Sequence, residues 1–197
     1  MVERLAKTLK ERGHRVDVEW LRFNHVLSKP LLAFCRLAGL TQYEIKDGVR
    51  VGYHEFHRSR FVSWLFVYLQ YLDALRVRLF RIAPKIRQKN GVLILDRFVY
   101  DIMIDLMIDT GMEDLDSRWI GRAFLDLLPS GTVVLPLVRN RDALLKARPE
   151  SALDRNHYRR LRLYNQLIAR QVLRPLENNS SIDALMLQVL VRLGLKV

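Results

Sequence analysis

Cysteine occurs once in the chain, at Cys35, which excludes an internal disulfide and a thiolate metal cluster. Its setting beside the apolar run Leu31-Leu32-Ala33-Phe34 marks it as core packing. Long apolar runs are also missing: the longest, Phe61 to Leu72, is too short to span a bilayer, and no N-terminal stretch has the layout of a secretory signal. The chain therefore reads as cytoplasmic, with no membrane partner. The nine glycines are isolated, and none opens into Lys-Ser or Lys-Thr, so the phosphate loop G-x-x-x-x-G-K-[ST] is absent. Negative charge is scarce, 21 Asp and Glu against 33 Lys and Arg, for a net charge of +12. Such a surface attracts nucleotides, nucleic acid or acidic membranes without choosing among them. The basic residues are spread along the chain instead of gathered on one terminal amphipathic helix, which sets the membrane reading aside.

What is present suits one compact domain over 1–197, since 197 residues, half of them hydrophobic, can bury a full core. Val2 to Arg12 has helical apolar spacing with Gly13 as its cap, and His14 to Trp20 alternates as a strand with Val16, Val18 and Trp20 on one face. Phe23 to Leu40 reads as helix or loop, broken at Pro30 and closed at Gly39. A helical pattern runs from Arg58 to Gln88, with Pro84 kinking it or starting a second piece. Gly91-Val92-Leu93-Ile94-Leu95 has the continuous apolar character of a strand buried on both faces of a parallel sheet. Further helices are expected at Tyr100 to Ile108 and Asp116 to Leu128, and a second buried strand at Thr132 to Val138, weakened by Pro136. A basic segment, Arg139 to Arg162, leads into another helix.

Strands separated by helices imply an α/β fold with a parallel sheet and ligands at the carboxyl ends of the strands. Arg22, Asp96-Arg97 and Arg139 stand at or just past such ends. An aspartate there can hold magnesium or its water, and an arginine can grip a phosphate bidentately; the plainer reading of the dipeptide is a strand-end ion pair. His54-Glu55-Phe56-His57 places two imidazoles three residues apart, but without a third ligand it reads as a packed or hydrogen-bonded pair.

The decapeptide Gly91 to Tyr100, Gly-Val-Leu-Ile-Leu-Asp-Arg-Phe-Val-Tyr, closely resembles the strand and Asp-Arg-Tyr (or Phe) signature of thymidylate kinases, preceded as in that family by a helix carrying Pro84. Leu5 to Val16 resembles the helix after the family's phosphate-binding loop and the strand that follows, and Asp154-Arg155 with Tyr164 resembles the lid and the helix behind it. The resemblance implies a P-loop NTPase-like nucleotide kinase fold with helices on both faces of a parallel sheet, its first strand and P-loop missing, and a lid at about 139–160. A chain begun at an internal methionine, or one that has lost its first strand and loop, is the simplest expectation. A gap, a rearrangement or a substitute strand should then mark the sheet.

By the same resemblance, Asp96 would assist Mg2+ and the reacting phosphates and Arg97 would bind the acceptor monophosphate, with Arg22 near that phosphate or its nucleoside. Lys146, Arg148 and Arg155 would close over the ATP triphosphate, and Asn178-Asn179-Ser180 would lie near the donor base. The helix after Arg97 departs from the family, offering Asp101, Ile104, Asp105 and Leu106 around the acceptor. Asp101, Asp105 and Asp109 share a helix face, read either as a solvated stripe or as a changed acceptor pocket. Arg155, Arg159 and Arg162 likewise suit a solvated face as well as a lid. The resemblance implies ATP- and Mg2+-dependent phosphorylation of a nucleoside monophosphate by a homodimer. The alternative is a non-catalytic relative that binds nucleotide or RNA through its basic surface, with Tyr158 and Tyr164 available to stack on bases.

Overall fold

The computed structural model describes residues 1–22, 24–46, 48–88, 91–140, 144, 146, 154–179 and 181–195. It is a mixed α/β fold in two compact units, one of residues 4–129 with residue 2, the other of residues 130–197 with residues 1 and 3.

In the first unit α1 (Val2–Glu11) buries Leu5, Ala6 and Leu9 along one face and ends before Gly13, whose φ of +84° continues the turn. Strand β1 (Arg15–Trp20) follows and pairs in parallel with β4 (Gly91–Asp96), in register from Arg15 opposite Gly91 to Trp20 opposite Asp96. In a parallel pair partners share a face. Asp17 and Glu19 therefore stand with Leu93 and Leu95, and Val16, Val18 and Trp20 stand with Val92, Ile94 and Asp96. The first of these faces is closed by Arg81, bonded to Glu19, and by Lys85, bonded to Glu19 and 3.7 Å from Asp17. The sequence suggests burial on both sides of β4, but its residues 92–96 are only half-buried and Val18 and Trp20 are exposed. The physical reason is pairing: β4 has one ladder partner, so half of its backbone groups and much of its apolar surface lack a neighbouring strand among the described residues.

Helix α2 (Lys29–Leu37) carries Pro30 in its first turn, where a missing N–H costs nothing, so this proline starts the helix instead of breaking it. An antiparallel hairpin follows, β2 (Thr41–Lys46) against β3 (Val49–His54), with Thr41 opposite His54. Ser59 then caps α3 (Arg60–Val77), its Oγ accepting from the Val62 amide at 3.4 Å. One wide π turn, Arg78–Ile82, leads into the short α4 (Ala83–Ile86), with Pro84 in its first turn as the start of a second piece. Helix α5 (Val99–Thr110) buries eight of its twelve residues and stops at Gly111, φ +72°. The helix expected from Asp116 is divided into a single tight turn at Leu115–Ser117 and α6 (Trp119–Leu125). These two segments touch so closely that a Cβ on Gly121 would lie 1.9 Å from the Leu115 carbonyl oxygen. Phe56 meets Phe66 edge-on at 4.7 Å, and Tyr71 meets Phe124 at 5.4 Å, both within the core that α3, α5 and α6 enclose.

One buried carboxylate ties the loop after β1 to this core. Asp73 of α3, 2% exposed, accepts from the amides of Val26, Leu27 and Ser28 at 2.8–3.1 Å and from the Ser28 hydroxyl at 2.9 Å. Three consecutive N–H groups at the entry to α2 thereby gain an acceptor that water would otherwise supply.

In the second unit β5 (Leu137–Val138) pairs in parallel with β6 (Leu176–Glu177), and the helices are α7 (His157–Arg170) and α8 (Ile182–Arg192), the latter capped by Ser181. The strand expected over 132–138 shrinks to two residues because Pro136 has no N–H to donate; only its carbonyl joins the pairing, accepting from Leu176 N at 2.8 Å. Half of the lid segment at about 139–160 lies outside the described residues. Among the described residues no helix is long and apolar enough to cross a membrane.

Replacing Asp73 with alanine takes the acceptor from those amides and from the buried Ser28 hydroxyl. Urea unfolding should show a loss of about 2–3 kcal/mol for D73A, and a smaller loss for D73N, which keeps one acceptor oxygen.

Candidate functional site

The carboxyl ends of β1 and β4 bring together Arg22, Asn24, Arg81, Asp96, Arg97 and Asp105. Leu21 N donates to the Asp96 carbonyl at 3.2 Å, so the chain leaves both strands at the same level and Arg22 stands one residue beyond. The Arg22 guanidinium grips Asp105 bidentately, Nε to Oδ2 at 2.9 Å and Nη2 to Oδ1 at 3.0 Å, with both side chains about one-fifth exposed. Asp105 is thereby the anchor of α5 on the end of β1. Asp101 and Asp109 are half-buried on the same helix face, which is not the solvated stripe that one reading of the sequence offers. Arg81, held by Glu19, also donates to Asn24 Oδ1 at 2.7 Å.

Asp96 and Arg97 are different. Both are half-buried, and neither side chain is engaged by another described residue, nor do they pair with each other. The strand-end ion pair is therefore not formed. Arg97 has φ +62°, in the left-handed region that residues with a Cβ rarely enter. Such a conformation costs on the order of 1–3 kcal/mol and persists only where its surroundings impose it. Here the chain must turn from β4 into α5 while Phe98 and Val99 are driven into the core. Phe98 offers no side-chain cap, so the first amides of α5 lack that partner directly behind the Asp-Arg pair.

Behind the strand ends lies a recess lined by Leu21, Arg22, Asn24, Gln70, Phe98 and Ile102, about 10 Å³ in volume, room for one water and no more. Its floor is the Asp73 network. Gln70 Nε2 donates to His25 Nδ1 at 2.6 Å and to Ser28 Oγ at 2.7 Å, and Ser28 Oγ donates onward to Asp73. His25 Nδ1 lies 3.1 Å from Ser28 Oγ as well, so the ring joins both ends of this relay. Burial lowers the His25 pKa, Lys29 adding to that and Asp73 and Asp105 opposing it. His54 closes the hairpin: it stacks on Phe56 at 4.9 Å and its Nδ1 bonds Thr41 Oγ1 at 3.0 Å. Burial, with repulsion from His25 and Arg36, lowers its pKa to about 4 despite Asp105. His57 is exposed, so the two histidines of the His-x-x-His spacing have different surroundings. Arg81, Asn24, Gln70 and His25 are absent from the site read off the sequence, because nothing in their local spacing shows which strand end they will reach.

In the second unit Lys146 and Arg155 are exposed, while Arg148 lies outside the described residues, as does Ser180. Asn178 and Asn179 act as ties between loops: Arg139 donates to the Asn178 carbonyl at 2.7 Å and to its Oδ1 at 3.3 Å, and Asn140 N donates to Asn179 Oδ1 at 2.8 Å. Asp154 opens α7 by accepting from Asn156 N at 2.9 Å. No family model matches the chain, and no curated protein matches it.

Two measurements probe this site. A double-mutant cycle on R22Q and D105N should give a coupling of about 1–2 kcal/mol, as for a part-buried bidentate pair; additivity would dissolve the anchor. The second uses pH. The unfolded chain takes up a proton on His54 near the ordinary value of 6.5 and the folded chain only near 4, so stability is complete above about 6.5 and falls as pH drops from about 6.5 toward about 4. The loss is on the order of 3 kcal/mol, and urea unfolding across that range should show a flatter slope for H54Q.

Proposed function

We propose that the crown formed by β1 and β4 is the acceptor side of a nucleoside monophosphate kinase of the thymidylate kinase type, with a P-loop NTPase-like fold. The observation that carries this reading is the Asp96-Arg97 pair. It stands unengaged at the carboxyl end of a parallel strand, with strained backbone at Arg97 and an uncapped helix start behind it. An unpartnered guanidinium and a helix start without a side-chain cap suit a phosphate.

A single half-buried carboxylate suits Mg2+, which takes one or two protein carboxylates and fills its other positions with water and phosphate oxygens. Asp96 would hold the ion or its water, and the ion would neutralise charge on the transferring group. Arg97 would fix the acceptor phosphate so that one of its oxygens faces the γ-phosphorus of ATP, and positioning with charge stabilisation would supply the rate. The resemblance assigns the donor triphosphate to Lys146, Arg148 and Arg155. The glycine-rich loop that would cradle it has no counterpart in the sequence, and the resemblance sets that loop directly before α1.

A second reading, nucleotide or RNA binding without catalysis, rests on the net charge of +12 and on Tyr158, 62% exposed and three residues along the chain from the exposed Arg155 in the second unit. Steeply salt-dependent RNA binding that ignores Arg97 is its signature.

Titration calorimetry with a panel of nucleoside monophosphates and Mg2+ separates the two. Arg97→Gly should relieve the left-handed strain and raise stability by about 1 kcal/mol while weakening monophosphate binding at least tenfold. Unchanged monophosphate affinity in R97G, or no binding by the parent chain, would overturn the kinase reading.

A further inference from the structure

Between Asp73 and Asp96 the chain carries six cations, Arg76, Arg78, Arg81, Lys85, Arg87 and Lys89, and no acid. This stretch holds the wide π turn and α4. Two of the cations are spent inward, Arg81 on Glu19 and Lys85 on Glu19 and Asp17. The side chains of Arg78 and Arg87 engage no other described residue. Among these cations stand apolar residues that a folded chain usually hides. Leu79 is 54% exposed, Phe80 74% and Ile86 43%, and Pro84 is exposed between them. A π turn spreads one turn over more residues than an α-helix does, so the consecutive Leu79 and Phe80 both reach solvent while Ile82 keeps the contact with the core.

We propose that this turn docks on an anionic lipid surface, with Leu79 and Phe80 entering the headgroup layer and Arg78 and Arg87 lying against its negative charge. Three observations choose that occupant. The exposed apolar side chains are mostly aliphatic, which cannot stack on bases as a single-stranded nucleic acid requires but suit the boundary of acyl chains. From their fractional exposures and the usual size of such side chains, Leu79, Phe80 and Ile86 offer roughly 300 Å², under half of the ~800 Å² that each partner buries in a standard protein interface. A lipid surface needs no such area, because cations beside the apolar wedge supply the rest of the attraction, and no acid interrupts them here. Basic residues that are spread over the whole sequence are thus gathered at one internal turn, away from the chain termini where an amphipathic anchor was sought. The site does not depend on the nucleotide reading.

Flotation of the 197-residue chain with vesicles tests it. At low salt, binding to phosphatidylcholine vesicles containing about one-third phosphatidylserine should exceed binding to pure phosphatidylcholine at least tenfold, and it should vanish near 1 M salt, where charge reaches only about 3 Å. Phe80→Glu should lower the anionic binding at least tenfold, and R78Q combined with R87Q roughly thirtyfold, about fivefold for each cation. Leu37→Glu, the same change of charge at a 90% exposed position on α2, should bind as the parent does. Should circular dichroism show that F80E upsets folding, Phe80→Cys serves instead. Cys35 is buried, so a polarity-sensitive fluorophore on F80C reports alone; it should shift to the blue on anionic vesicles, and one on L37C should not. No binding to anionic vesicles at low salt, equal binding to both vesicle compositions, equal binding by F80E and the parent, or a blue shift on L37C in place of F80C would overturn the proposal. So would a chain that ignores vesicles but binds an oligouridine probe and loses it in the double arginine variant, which would hand the turn to nucleic acid.

Discussion

The carboxylate of Asp73 is the constraint on which the geometry of the first unit depends. A loop entering a helix presents several amides with no partner of their own, and residues 26–28 turn theirs toward one buried carboxylate. Asp73 meets it from the middle of α3. Once residues 26–28 are held there, the path from the end of β1 is short, and Arg22 has to leave the sheet toward α5, where Asp105 receives it. The recess, the His25-Gln70-Ser28 relay and the Arg22-Asp105 pair are all arranged around one acid placed on the inner side of one helix.

That chain of satisfied groups makes the unsatisfied ones informative. Around the strand ends the unit engages Arg22, Arg81 and Glu19 with protein partners. Asp96 and Arg97 occupy the same region, yet both are left open, and the backbone accepts an unfavourable conformation at Arg97 to keep them there. Packing alone gives no reason for that arrangement, since a glycine would make the same turn without strain. A ligand that uses the two side chains gives one.

Much of this was legible in the sequence, and the failures have physical causes. The helices announced themselves by period and by their punctuation, Gly13, Gly39 and Pro84 among them. The strand at 91–96 and the placing of Asp96-Arg97 at its end were equally clear, but its burial was not, because burial depends on how many strands a sheet has and local apolarity does not count them. The segment Thr41 to His54 shows the opposite case: alternation around Asp47-Gly48 is a strong hairpin signal, and the spacing of His54 and His57 distracts from it toward metal chemistry. Pro30 and Pro136 each followed the rule for a residue without an N–H, one by opening a helix and the other by cutting a strand short. The partners of Arg22, Arg81 and Asp73 lie between 45 and 83 residues away along the chain, and no local pattern contains them.

Helix α3 serves two demands with one buried side. Ser63, Gln70 and Asp73 on it bond the surrounding chain, and Val62, Phe66, Val67, Ala74 and Val77 pack into the core beside them. A carboxylate among those apolar neighbours is stable only because every donor around it is turned toward it, so the loop before α2 and the inner side of α3 specify one another, and neither can be altered without leaving a polar group unanswered.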